Sequence, residues 1–226
     1  MTSQGDSNYQ EGSNQIRTTI ANMGVNTQLP IVPDANSLQQ GKTILILAAN
    51  PKEARQLRLE EEVRDIEAGL QQSGGRYFFK LQQKWAVRTR DIQPALLEFK
   101  PQIVHFSGHG GGEHGLVLED EKGHIKFVKT EAIAALFELF ADQIECVVLN
   151  ACYSEVQANA IASHIPYVIG MSEAIADKAA IEFSVSFYNA IAAGESVELA
   201  YKLGCTAIRM AGIEEYLTPV LKRKAT

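Results

Sequence analysis

Two short apolar runs, each ending in a reactive side chain, constrain this chain more than any other feature. They are Ile103-Val104-His105-Phe106-Ser107-Gly108-His109-Gly110 and Cys146-Val147-Val148-Leu149-Asn150-Ala151-Cys152. Continuous apolar runs of this length belong to strands buried on both faces, the habit of a parallel sheet covered by helices. Each run delivers its reactive residue at the carboxyl end of the strand, the edge of an open α/β sheet where ligands and chemistry collect. A thiol and an imidazole brought to one such edge make a nucleophile with its base, which points to a cysteine hydrolase.

The rest of the chain alternates in the way such a sheet requires. Thr43 to Ala49 reads as a first buried strand, closed by Asn50-Pro51. Leu59, Val63, Ile66 and Leu70 follow at helical spacing, with Gly74-Gly75 as the stop. Phe78 to Trp85 supplies a more polar strand, and Asp91 is placed to cap a helix through Phe99. After the strand leading to His109, Gly115–Leu118 and His124–Val128 make a hairpin, and Thr130 is placed to cap a helix carrying Ile133, Leu136, Phe137 and Phe140. Beyond Cys152 come a helix from Glu155 to His164, a buried strand from Pro166 to Met171, and two long helices. The first turns Ala176, Ala180, Phe183, Phe187 and Ile191 inward, the second Ala200, Leu203, Ala207 and Ala211. Leu217–Leu221 is left for an edge strand, because Pro219 cannot donate within a central ladder. These units predict a three-layer α/β/α fold with a mostly parallel central sheet.

Composition sets the boundaries of that domain. Residues 1–41 are rich in Ser, Asn, Gln, Gly and Thr and carry few large apolar groups, so they read as a flexible polar tail or linker ahead of a folded domain at 42–226. With 226 residues and 46% hydrophobic content the chain can build one full core. A net charge of -6 argues against a nucleic-acid partner, whose phosphates demand clustered Lys and Arg. The first 15 residues lack the basic and apolar regions of an export signal, and no later apolar run reaches the length of a membrane span, so no membrane association is expected. Three cysteines, two of them inside apolar periodic segments, read as free thiols of a reducing, cytoplasmic compartment.

Only a thiolate attacks an amide carbonyl, so Cys152 needs an imidazole to take its proton and later hand one to the leaving amine. His109 is positioned for this. The glycines after it let the main chain approach a substrate closely, and the Cys152 amide supplies a further donor for the developing oxyanion. A helix starting near Ser154 or Glu155 sets a partial positive terminus near the sulfur. Two other readings compete for the same residues. His105, His109 and His114 with Cys152 suggest a metal, but the histidines lack a shared helical face and no Cys-x-x-Cys supports them. The glycines suggest a phosphate nest, but a hairpin rather than a helix follows them. The dyad itself requires neither a metal nor a cofactor.

His105-Phe106-Ser107-Gly108-His109-Gly110, Leu149-Asn150-Ala151-Cys152 and Val168-Ile169-Gly170-Met171, with Asp177, Ala180, Phe183, Phe187-Tyr188 and Gly194 downstream, together resemble the CHAT family of caspase-like cysteine peptidases. The resemblance covers about Lys42 to Leu221. It implies a caspase-type fold, His109 as base, Cys152 as nucleophile, and an oxyanion hole made by the amides of Gly110 and Cys152. The caspase signature Gln-Ala-Cys-Arg/Gln/Gly-Gly is replaced here by Asn-Ala-Cys-Tyr-Ser, so specificity for Asp at P1 does not carry over. Asp177 is the candidate substrate-binding residue, lining the P1 pocket as an acid does in relatives that cleave after basic residues; its competing role is a first-turn acid of the following helix. The function implied is limited proteolysis of a protein substrate in bacterial signalling or defence; for its regulation two readings stand, a regulatory protein in trans or a tail that is the remnant of a cleaved or truncated connection. An inactive scaffold module and a small-molecule amidohydrolase are the alternatives.

Overall fold

The central strands are apolar on both sides because both sides are covered. In β1 (Lys42–Ala48) Leu45 and Leu47 enter one core while Ile44 and Ile46 enter another. The same alternation runs through β3 (Ile103–Ser107), β6 (Cys146–Asn150) and β7 (Tyr167–Met171). The computed structural model describes residues 41–72 and 79–225; the expected tail up to residue 40, the Gly74-Gly75 stop and Phe78 lie outside them.

Six strands form the main sheet in the order β2-β1-β3-β6-β7-β8, where β2 is Phe79–Lys84 and β8 is Pro219–Arg223. All neighbours are parallel except β8, which runs antiparallel to β7. β8 is an edge strand with Pro219 as its first residue, as the missing N–H dictates. The second sheet is the hairpin of β4 (Leu116–Glu119) and β5 (Ile125–Val128).

Helices α1 (Leu59–Gln72), α5 (Asp177–Ala192) and α6 (Val197–Met210) cover one face of the main sheet. Helices α2 (Thr89–Phe99), α3 (Thr130–Glu138) and α4 (Glu155–Ile161) cover the other. The result is the expected three-layer α/β/α arrangement.

Local capping differs from the sequence reading. Asp91 acts from inside the first turn of α2, its carboxylate accepting from the Arg88 main-chain N–H at 3.0 Å and from the Arg88 guanidinium at 2.8 Å. Thr130 is likewise the first helical residue of α3 and not its cap. On α6 the inward face is Ala200, Gly204 and Ile208, while Leu203 is 41% exposed. The reason is steric: a Cβ at position 204 would stand 2.6 Å from the Phe183 ring, so α6 packs its glycine against that ring and turns Leu203 out.

Phe183 is fully buried, stacked on Phe187 with centroids 6.0 Å apart and meeting Tyr201 edge-on. Truncating it empties the α5–α6 contact. Phe183→Ala is expected to cost about 3–5 kcal/mol in urea denaturation; a loss under about 1 kcal/mol would show that the contact can collapse around the gap.

Candidate active site

Strands β3 and β6 are direct neighbours in register, with Ser107 opposite Asn150 at their carboxyl ends. Both strands stop there, and His109 and Cys152 each lie two residues farther on, in the loops that leave the sheet. The sheet thus delivers the two reactive residues from the same rung. The loops also touch: a Cβ on Gly110 would fall 1.9 Å from the Cys152 carbonyl oxygen and 3.2 Å from its nitrogen, so only glycine permits this approach.

The loop after His109 is fastened on several sides. Val117 N donates to the His109 carbonyl at 3.1 Å, Gly111 N to Gly115 O at 2.8 Å, and Gln157 Nε2 to both Gly112 O and Thr130 Oγ1 at 2.8 Å. On the other side Tyr153, directly after the cysteine, has φ of 56°, a left-handed conformation costly for a side chain of this size. Neither the Gly110 nor the Cys152 amide donates to a main-chain acceptor among the described residues.

His109, Cys152 and Asp177 line a single cavity of about 40 Å³, together with Leu57, Glu62 and Asn150. Nε2 of His109 is buried and unpartnered, while the Arg55 main chain hydrogen-bonds the ring. Cys152 Sγ accepts from the Ile175 N–H at 3.4 Å and its thiol reaches the Ile175 carbonyl at 3.7 Å. No described hydrogen bond joins it to His109. The hydrogen bond to the sulfur thus comes from the loop before α5, while α4, expected to lend its terminus, starts at Glu155 as read from the sequence and spans seven residues.

Asp177 is the first residue of α5 and also reaches the cavity. Its carboxylate is already engaged from within the chain: Oδ2 accepts from Arg58 Nε at 2.6 Å and Oδ1 from the Arg58 main-chain N–H at 3.2 Å. The remaining guanidinium bonds Glu61 at 2.8 Å. The connection from β1 to α1, residues 49–58, thus contacts both the imidazole and the acid.

Beneath the cavity lies a buried polar cluster. Glu62 Oε2 accepts from Ser107 Oγ, and Oε1 accepts from Asn150 Nδ2 at 2.6 Å and Ser184 Oγ at 2.7 Å. His105 sets Nε2 3.2 Å from Glu62 Oε1 and Nδ1 3.2 Å from the Tyr188 hydroxyl. Burial works to raise the Glu62 pKa, but the charge interaction with His105 and the hydrogen bonds outweigh it and hold the carboxyl below its usual range. His105, expected as a core residue or support for the site, belongs to this cluster.

Sequence reasoning missed Glu62, Arg55, Arg58 and Ile175. Glu62 left a signal, a charge on the apolar stripe of Leu59, Val63 and Ile66. The contacts of Arg55 and Ile175 involve main-chain atoms, on which residue type is silent. Among the described residues no group of three or more His, Cys, Asp or Glu is disposed to hold a metal ion, and no helix is long and apolar enough to cross a membrane.

Similar folds occur in solved structures. A secreted C11 cysteine protease from Bacteroides thetaiotaomicron superposes with a TM-score of 0.59 at 14% identity, covering 78% of this chain and 62% of that one. The Arg specific cysteine proteinase gingipain R gives 0.57 at 12% identity over 81% and 46%, and the Drosophila initiator caspase Dronc 0.53 at 10% over 83% and 80%. The fold is that of the caspase-like cysteine proteases. The CHAT domain matches residues 18–203, and the chain belongs to that family.

Two curated relatives agree with this. A probable protease of Gillisia limnaea is 25% identical over 162 residues, 71% of this chain and 29% of the relative. A Roc-COR-CHAT protease of an unknown prokaryotic organism is 24% identical over 181 residues, 77% of this chain and 17% of the relative. The chain spans less than a third of the length of either one.

Burial pushes the His109 imidazole below its ordinary 6.5, with the Arg55 hydrogen bond opposing the shift. In the window between the two values the unfolded chain binds the extra proton, so this group's contribution to stability rises with pH there and is lost on acidification. An NMR titration of the His109 ring should show a midpoint below 6.5, returning to about 6.5 in urea; a native midpoint at or above 6.5 would mean that the ring is solvated.

Proposed function

We propose that this chain is a cysteine endopeptidase acting on protein substrates, with His109 as general base and Cys152 as nucleophile. The observation that carries the reading is the meeting of the two strand-end loops at one cavity, lined by both the thiol and an imidazole whose buried Nε2 has no hydrogen-bond partner. His109 takes the Cys152 proton as sulfur attacks the scissile carbonyl carbon. The amides of Gly110 and Cys152, uncommitted to other main-chain acceptors, serve the oxyanion. Collapse breaks the C–N bond, the amine leaves with the proton held by His109, and water hydrolyses the thioester.

Two further points support this assignment. Burial pushes the Cys146 and Cys205 thiols up, which disfavours both as nucleophiles. The relatives are named as proteases, one within a prokaryotic protein of several parts, which fits limited cleavage in bacterial signalling or defence in the cytoplasm, under control of a regulatory protein or region.

Cys152→Ala and His109→Ala should each abolish cleavage of fluorogenic peptides varied at P1 without changing the melting temperature by more than a few degrees, and the double variant should be little worse than either. Absence of cleavage by the unmutated protein across the library would favour a scaffold role. Retained cleavage in either single variant would sink the dyad.

For specificity we infer a basic P1 residue recognised by Asp177, since the Asp177 carboxylate lines the cavity together with Asn150, whose side-chain oxygen has no hydrogen-bond partner. An incoming cation has to displace Arg58 from the carboxylate. Asp177→Asn should therefore lower kcat/KM for a P1-Arg peptide about 30-fold, equivalent to about 2 kcal/mol, while Arg58→Ala should raise it. An Asp177→Asn protein that melts early but keeps its P1 preference would reduce Asp177 to a structural tie between α5 and α1.

A further inference from the structure

Among the described residues Glu62 is the one Asp, Glu, Lys or Arg that is buried. Its partners are not scattered. Ser107 and Asn150 face each other across β3 and β6, and each precedes a reactive residue by two positions. Glu62 reaches both from α1, with Oε2 on Ser107 and Oε1 on Asn150, and Ser184 of α5 closes the group.

We propose that Glu62 is the positioning residue of the His109–Cys152 pair, fixing the two strand ends at one height so that the loops beyond them meet in the reactive arrangement. The residues between the clamp and the reactive side chains, Gly108 and Ala151, are buried, and a Cβ on Gly108 would stand 2.6 Å from the Ala49 carbonyl. Little slack therefore remains to absorb a shift of the rung. Glu62 also lines the cavity that His109 and Cys152 share, without a hydrogen bond to either.

A purely architectural role would not require a carboxylate. Well-packed apolar side chains commonly replace buried ionic groups without loss of stability. What an apolar residue cannot do is bind two strands by directional bonds to a single atom pair. The rigid carboxylate geometry sets Ser107 relative to Asn150, and the His105 ring, 3.2 Å from the Tyr188 hydroxyl, lies 3.2 Å from the same carboxylate.

The proposal rests on the dyad assigned above, and its test separates the two. Glu62→Gln and Ser107→Ala are compared with the unmutated protein and with His109→Ala. The second variant leaves the carboxylate its Asn150 and Ser184 bonds. Two quantities are measured per folded molecule: the rate of Cys152 alkylation by iodoacetamide, followed by mass spectrometry, and kcat and KM on a P1-Arg peptide.

The expected result is a kcat at least tenfold lower in Glu62→Gln and severalfold lower in Ser107→Ala. KM should stay within twofold, and alkylation should slow towards the His109→Ala rate. Folded variants that melt earlier yet keep kcat and the alkylation rate within twofold of the unmutated protein would overturn the proposal. Should Glu62→Gln fail to fold, Ser107→Ala decides alone. An unmutated protein that cleaves no peptide defeats only the peptidase reading, because the alkylation rates still decide for or against Glu62.

Discussion

A carboxylate removed from water has to be surrounded by donors, and the way Glu62 meets that demand organises the carboxyl edge of the sheet. Its oxygens take hydrogens from β3, β6 and α5, so one side chain of α1 joins three other elements. Breaking such a group by removing one partner costs about 3–5 kcal/mol where the charge is left uncompensated. Because α1 and α5 lie on the same face of the sheet, the cluster also closes that layer over the strand ends. On the opposite face the hydrophobic core is built of Leu, Ile, Val, Phe and Ala, and the buried Gln157 bonds Gly112 O and Thr130 Oγ1 at its edge.

The second constraint is close approach. Gly110 lies against the Cys152 backbone at a distance that no side chain tolerates, and Gly204 does the same for α6 against Phe183. In both places a missing Cβ lets two elements come nearer than ordinary side chains allow. The first brings a strand-end loop beside the thiol, and the second lets the outer helices seal the core on which α5, and with it Asp177, is mounted.

Most of the architecture was legible because parallel strands covered on both faces leave long apolar runs, and those of β1, β3, β6 and β7 are unmistakable. Pro219 marked the edge strand for an equally physical reason. The helix starts were harder: Asp91 and Thr130 look like caps in sequence but sit inside the first turn, where Asp91 accepts from the Arg88 N–H and the Thr130 hydroxyl from Gln157 Nε2. On α6, Leu203 fits the apolar period as well as Gly204, and only the bulk of Phe183 across the interface selects the glycine. His109, Cys152 and Asp177 were found in sequence and share one cavity, whereas Glu62 required reading a charge within an apolar stripe as a buried group.

The Arg58–Asp177 pair gives the cavity a property of its own. Arg58 is about half exposed, and an ion pair in such a setting adds little to stability. It is also open to screening, with a Debye length of about 8 Å at physiological ionic strength. The guanidinium is therefore a resident ligand of low affinity, held mainly by being tethered to the chain. A cation entering from solution would compete against an effective concentration rather than against a strong bond, so a peptide held by neighbouring contacts would displace the guanidinium more readily than a free guanidinium compound of the same chemistry.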